Sequence, residues 1–504
     1  MPVGTKTAES LVVGSGTTGT REICTNTCNK AKNGICEEGR PAKGKPAVTL
    51  MFMTYCDLGT DCDDCGPFAT SAPAIEWEDP KVVGPIRFLQ AKDVQVRVRQ
   101  ALVPPEVNFS FAYTDPAADF DVSYHMESSG VVERGISIIT YTLLKDRCIK
   151  KDGSRALVVD VGANFGWFAV MAARLGCRVI GYEPVPLFRS FFTFSTHIND
   201  LTGLIDIRPK VVSHERNKTM QMVVPSKGIW GTAGIDGLNI DRAIQASKEE
   251  IDVPSVRLED EIKEDVLLLK VDVEGWEWSV IQGAEGLLKN HVVENIIMEY
   301  SPGVPERHFK WDHMAATPQM LVDLIKEYGY RIGHIGDAGK HHGNWEDPLP
   351  ALREISMDNL KYDVHDVALW KDAKMACPSP PELARFPMWV LCGGVPEGLN
   401  PRSLRAEIGH NTNIIAAKGA SLGAPYLKLE GLSGILDPHD PATKYFQTNP
   451  SNFGMGSRPC YHLTGEVQVR HRCKCTKPDI CGEEEKLVAI AAEEGRIAHN
   501  YVLP

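Results

Sequence analysis

The middle of the chain carries the most regular pattern. Short apolar runs alternate with longer segments whose apolar residues recur at helical spacing. Residues 156–161, 178–182, 205–212, 266–271 and 295–299 read as strands. Continuous apolar runs of this length suit strands buried on both faces, as in a parallel sheet. Residues 130–144, 167–175, 186–199 and 276–288 read as helices. Gly176 stops the second of these, and Pro186 suits the first turn of the third. Thr317–Pro318 is the expected start of a further helix that ends at Tyr328–Gly329. Residues 330–335 follow as a strand, and 388–392 is the expected last strand. Strands alternating with helices predict an α/β fold built on a parallel sheet.

Outside that core the pattern changes. Residues 1–20, rich in Gly, Thr and Ser, read as a disordered lead-in. Residues 21–70 form a Cys-rich module, and 71–125 a linker with some strands that pack on the next domain. The α/β domain spans 126–393, with a polar insertion at 336–387. Residues 394–504 are an irregular extension.

The cysteines sharpen this division. Cys24, Cys28, Cys36, Cys56, Cys62 and Cys65 crowd one end, and Cys460, Cys473, Cys475 and Cys481 the other. A segment of about 40 residues cannot build a stable core without staples. Six cysteines and no histidine in that segment fit disulfides better than zinc, and sequence does not choose among the 15 pairings. The loop that holds Asp57, Asp61, Asp63 and Asp64 suits either a solvated acidic turn or a Ca²⁺ site. The module resembles the Lin12-Notch type of calcium-binding, disulfide-rich repeat. Such cysteine usage suggests a secretory lumen or an extracellular setting. No signal-peptide pattern heads the sequence, so the expectation is that the natural N-terminus lies upstream.

Charge narrows the function. The chain of 504 residues has 54 basic and 66 acidic side chains, a net charge of -12. That argues against a nucleic-acid binder and against broad attraction to anionic membranes. No apolar stretch reaches the ~20 residues that a bilayer-spanning helix needs.

Three motifs carry chemistry. The first runs from Asp160 through Gly162 and Asn164 to Gly166, between a buried strand and a helix. Open α/β sheets bind ligands at this end of the strand. Dinucleotide sites use G-x-G-x-x-G to seat a pyrophosphate. The G-x-x-x-G spacing here suits a ligand without phosphates, such as S-adenosylmethionine (SAM). The second motif is Glu183, at the end of the next strand, where an acid can accept both ribose hydroxyls. The third runs from Leu269 through Lys270, Asp272, Glu274 and Trp276 to Glu277. Charge at the end of an apolar strand is costly unless it pairs or faces a cleft. A Lys270–Asp272 ion pair and a site wall are both open readings.

Together with Ile297–Met298–Glu299, these motifs resemble the FkbM family of SAM-dependent methyltransferases. The resemblance implies the class I methyltransferase fold, a seven-stranded, mostly parallel sheet between helices. It implies methyl transfer from SAM, typically to oxygen. It places Asp160, Gly162, Asn164, Gly166 and Glu183 at the cofactor, with Asp272 lining the same pocket. Glu274 or Lys270 is the candidate base, with Glu299 third. Lys270 qualifies only if burial depresses its pKa. Trp276 and Trp230 are candidates for an acceptor pocket. The expected acceptor is a small molecule or a glycan, and no metal is expected in this domain. The alternative is a non-catalytic binding protein, with the methyltransferase fold as scaffold for the Cys-rich modules.

Overall fold

A computed structural model describes residues 21–44, 52–70, 84–238, 248–307, 310–335, 344–345, 352–357, 360, 412–418 and 429–431. Among them, nine strands form one sheet. In chain order they are β1 (Leu157–Val161), β2 (Arg178–Tyr182), β3 (Ile205–Arg208), β4 (Val266–Val271), β5 (Val293–Tyr300), β6 (Tyr330–His334), β7 (Leu352–Ile355), β8 (Thr412–Lys418) and β9 (Leu429–Gly431). Their spatial order is β3-β2-β1-β4-β5-β8-β6-β7-β9. The first five run parallel. β8 is antiparallel to both β5 and β6.

Six of the seven expected strands correspond to β1–β6. β7 and β9 widen the sheet, and β7 arises inside the stretch read as a polar insertion. The seventh was expected at 388–392, which lies outside the described residues, and β8 enters the sheet between β5 and β6. β1 and β4 are buried at every position, which is why they read as continuous apolar runs. Apolar clusters cover both faces of the sheet.

The helices around the sheet include α1 (Val122–Ser129), α2 (Arg134–Leu144), α3 (Trp167–Arg174), α4 (Pro186–Ile198), α5 (Glu277–Gln282), α6 (Glu285–Asn290) and α7 (Trp311–Lys326), and a further helix spans Pro85–Ala91. Four expectations need correction. The helix expected at 130–144 begins only at Arg134. Gly130 caps α1 in the left-handed region, and Glu133 is left-handed too. The helix expected at 276–288 divides at Gly283 into α5 and α6. Thr317–Pro318 lies inside α7 and does not start it, with Thr317 Oγ1 donating to the His313 carbonyl at 2.8 Å. The strand expected at 205–212 stops at Arg208. Val211–Val212 joins a separate four-stranded sheet with Thr219–Pro225, Gly234–Ile235 and Lys248–Val256.

The Cys-rich module is stapled by Cys24–Cys62, Cys28–Cys56 and Cys36–Cys65. Its acidic loop serves the module's own donors. Asp61 accepts from the Glu37 amide at 3.1 Å, Asp63 from Asn26 Nδ2 at 3.0 Å, and Asp64 from the Asn33 amide at 2.9 Å. These contacts add no support for the calcium expectation. A strand at Phe52–Thr54 pairs with Val96–Gln100, which pairs with Ser110–Tyr113. The module is therefore continuous in hydrogen bonding with the segment that leads into α1. A fourth disulfide, Cys148–Cys177, ties the chain before β1 to the start of β2. The C-terminal cysteine cluster lies outside the described residues. Among the described residues, no helix is long and apolar enough to cross a membrane.

Candidate functional site

After β1 the chain turns into α3 through Gly162–Ala163–Asn164–Phe165–Gly166. Gly162 (φ 79), Asn164 (φ 52) and Gly166 (φ 86) are all left-handed. Space demands the glycines as much as backbone angle does. A Cβ on Gly162 would lie 1.8 Å from the Asp272 carbonyl oxygen, and one on Gly166 2.0 Å from the Phe192 ring. The loop thus lets the end of β4 and the face of α4 approach the backbone. Asn is among the few non-glycine residues that visit this region readily.

Glu183 fastens the loop to the end of β2. The Gly162 and Ala163 amides donate to the Tyr182 carbonyl, each at 3.0 Å. Glu183 Oε2 accepts from the Asn164 amide at 2.7 Å, and Oε1 from the Val185 amide at 2.8 Å. Each oxygen keeps a second lone pair for a ligand. Burial pushes the Glu183 carboxyl up to about 7, against the pull of those two amides.

Lys270 and Asp160 occupy paired positions on β4 and β1. Lys270 Nζ lies 3.1 Å from Asp272 Oδ2 and 4.7 Å from the centre of the Phe168 ring. Asp160 is fully buried, and neither oxygen makes a hydrogen bond of ordinary geometry. Burial raises Asp160 to about 6, although Lys270 draws it down. Burial also works to lower Lys270. The negative charges of Asp272, Asp160 and Glu133 outweigh it and raise the lysine instead. A lysine base needs a depressed pKa. Lys270 is held as a cation, so the condition for its role as a base is not met.

The turn after β4 brings three carboxylates together. Oxygens of Asp272, Glu274 and Glu299 lie within 4.8 Å of one another. Burial, then Glu299 and Asp272, raise Glu274 well above the ordinary carboxylate range. Glu274 itself has φ 55. Glu277 has a different task. Its Oε1 accepts from the Gly275 amide at 2.9 Å and the Val273 amide at 3.3 Å, which shapes the turn. Burial lifts Glu277 to about 7.

One cleft joins these elements. Gly162, Asn164, Glu183, Asp272, Glu274 and Glu299 all line it, and so does Lys270. Asp160 supports its wall from behind. Trp276 also lines it. Trp230 does not: it is buried on Phe188, with ring centres 6.1 Å apart. The atom-free space of about 1190 Å³ reaches out to open solvent.

Sequence reasoning missed part of the wall. Asp121 and Glu133, at the entries of α1 and α2, line the same cleft. Burial, then Asp119 and Asp272, raise Asp121 to about 7. Burial, then Asp272, raise Glu133 to about 8, with Lys270 opposing. Reading 130–144 as one unbroken helix hid Glu133. The strap of Gly231, Ala233, Gly234 and Ile235 was missed too. The alternation of Met220, Met222 and Val224 with Thr219 and Gln221 was the available signal for its neighbouring strand.

The methyltransferase FkbM domain model matches residues 160–332. The chain carries a methyltransferase FkbM domain. That match holds the glycine loop, Glu183, the Lys270–Glu277 motif and Glu299, while Asp121 and Glu133 lie upstream of it. Among solved structures, a methyltransferase FkbM from Methylobacillus flagellatus KT is similar at 15% identity and a TM-score of 0.24. The alignment covers 41% of this chain and 45% of that one. The plantazolicin methyltransferase BpumL, solved with SAH, is similar at 11% identity and a TM-score of 0.25. It covers 59% of this chain and 88% of that one. No curated protein matches the sequence.

Proposed function

We propose that the chain is a SAM-dependent methyltransferase that methylates a hydroxyl oxygen of a small molecule or glycan. One observation carries this reading. The glycine loop, Glu183 and the Asp272–Glu274 turn meet in a single cleft of a methyltransferase FkbM domain. The residues fit the cofactor's charge, because carboxylates outnumber cations along the cleft. When bound, SAM supplies an electrophilic methyl group on a cationic sulfur.

The chain's own residues do the rest. Gly162 and Asn164 bring the backbone close to the cofactor, Gly166 outside the cleft lining packs the loop onto α4, and Asp160 stands behind them. Glu183 receives the ribose hydroxyls on its remaining lone pairs. Asp272 faces the cationic end, while Lys270 keeps Asp272 and Asp160 from repelling each other. Glu274 takes the acceptor's proton. Its raised affinity for protons makes it a stronger base once ionised, so transfer speeds up as pH rises. The four disulfides support work in an oxidising compartment.

Calorimetric titration of the oxidised chain with SAM and S-adenosylhomocysteine tests the cofactor. Micromolar binding is expected, with loss in Asp160→Ala. Absence of binding by a folded chain refutes the reading. With a productive acceptor, Glu274→Gln should lower kcat by ~10²–10⁴-fold. Unchanged turnover would remove Glu274 as the base.

A further inference from the structure

The cleft has a built outer lip. Its two strips are residues 118–124 and 228–231, far apart in sequence and joined by hydrogen bonds. The Phe120 amide donates to the Gly228 carbonyl at 2.7 Å, and the Gly228 amide to the Ala118 carbonyl at 3.0 Å. Asp119, only 1% exposed, clamps both strips. Its carboxylate accepts from the Ser123 amide at 2.8 Å, the Asp121 amide at 3.2 Å and the Trp230 amide at 3.4 Å. Trp230 anchors the second strip by stacking on Phe188. These contacts tie the two strips to each other and to α4.

Its residues divide between two sides. Asp121, Val122 and Gly231 line the cleft. Phe120, Tyr124 and Ile229 face solvent at 45%, 55% and 38% exposure. They make up three of the seven large apolar residues that stand exposed among the described residues. Scattered exposed apolar residues need no explanation, but a concentration beside a ligand cleft marks a binding surface. The fold does not require them there, because Asp119 and Trp230 already hold the strips.

We propose that this lip docks the acceptor, and that the acceptor carries an alkyl or aryl body next to its reacting hydroxyl. The inference rests on the methyltransferase reading of the cleft. Continuity supports a substrate as occupant, since exposed Phe120 directly precedes cleft-lining Asp121, and exposed Ile229 stands two residues before cleft-lining Gly231. Phe and Ile offer no hydrogen bond, so the part of the acceptor they hold is apolar.

The test uses the full oxidised chain, saturated with S-adenosylhomocysteine, and n-alkyl β-glucosides from methyl to octyl as probes. Calorimetry should show affinity rising by up to about fourfold per added methylene. A variant combining Phe120→Ser, Tyr124→Ser and Ile229→Ser should flatten that rise, with an unchanged melting temperature and unchanged S-adenosylhomocysteine affinity. Affinity independent of chain length, or a rise that survives in the variant, overturns the proposal. Two other occupants have their own outcomes. Self-association lost in the variant would make the lip a contact between copies. Sedimentation with phosphatidylcholine vesicles, lost in the variant, would make it a membrane contact. Either result overturns the acceptor assignment. If S-adenosylhomocysteine fails to bind at all, the methyltransferase reading falls, and the chain-length series then reads the lip by itself.

Discussion

Replacing Gly162 with alanine isolates the contact that holds the cleft together. Its φ of 79 costs an L-residue about 1–2 kcal/mol. A less flexible unfolded chain returns about 0.4–1 kcal/mol. The net backbone effect is therefore about 0–1.6 kcal/mol. The new Cβ would then stand 1.8 Å from the Asp272 carbonyl oxygen. Carbon and carbonyl oxygen ordinarily meet no closer than ~3.3 Å. The ends of β1 and β4 must separate, and forced overpacking of this kind adds about 1–3 kcal/mol. Gly153 supplies the control. Its φ is 82, yet a Cβ there meets nothing within 4 Å. Urea unfolding should thus show Gly162→Ala costing about 1–3 kcal/mol more than Gly153→Ala. Calorimetry should show weakened S-adenosylhomocysteine binding in Gly162→Ala alone. Equal costs for the two variants would refute the close approach of the loop to Asp272.

The other predictions concern charge and covalent staples. Lys270→Met leaves Asp160, Asp272 and Glu133 facing one another without a cation. Urea unfolding at pH 8 should show a loss of about 3–5 kcal/mol, and a smaller loss at pH 6, where Asp160 and Glu133, both raised by burial, take up protons. The same loss at both values would contradict the network. Without cofactor, Asp160 and Glu183 bind protons in the fold up to about 6 and about 7. In the unfolded chain they release them near ~3.9 and ~4.3. The folded state then holds the extra protons, so stability is fullest below the unfolded values and falls as pH rises through 6 and 7. A wild-type unfolding free energy that increases from pH 5 to 8 would show that other groups dominate. Substituting both Cys148 and Cys177 with Ser opens a link across 29 positions. The expected loss is about 3–4 kcal/mol, read as a lower urea midpoint, with cofactor affinity retained.

The parallel half of the sheet was legible because β1 and β4 are buried on both faces and so leave unbroken apolar runs. The site motifs were legible for a related reason. Asp160, Glu183 and Asp272 stand where those runs stop, and polar residues at the ends of buried strands are conspicuous. What escaped was set by contacts distant in sequence. The break before α2 depends on Glu133 adopting a left-handed backbone beside Asp272 and Lys270, and no local signal in 130–144 announces it. β8 fills a gap between β5 and β6 from more than a hundred residues beyond β5, and 388–392 looked equally apolar. The disulfide pairing depended on three-dimensional proximity, and Cys148 and Cys177 belonged to neither cysteine cluster, so nothing local suggested a bond.

The Cys-rich module belongs to the same mechanical unit as the cleft. Its strand at Phe52–Thr54 pairs with Val96–Gln100, and that strand with Ser110–Tyr113. From there Tyr113 Oη donates to Glu127 Oε2 at 2.9 Å, and Arg97 Nη1 reaches the same carboxylate oxygen at 3.1 Å. Glu127 lies on α1, whose entry carries Asp121 into the cleft. Asp57 of the module accepts from the Ile86 amide, and the helix at Pro85–Ala91 packs on α4 behind Glu183. Module and cleft are thus connected along two routes, one to each side of the site. The family domain supplies the glycine loop and the carboxylate turn, whereas α1 and the start of α2, upstream of it, supply a wall. A wall braced by a disulfide-stapled module can hold its carboxylates in place without a cofactor to gather them.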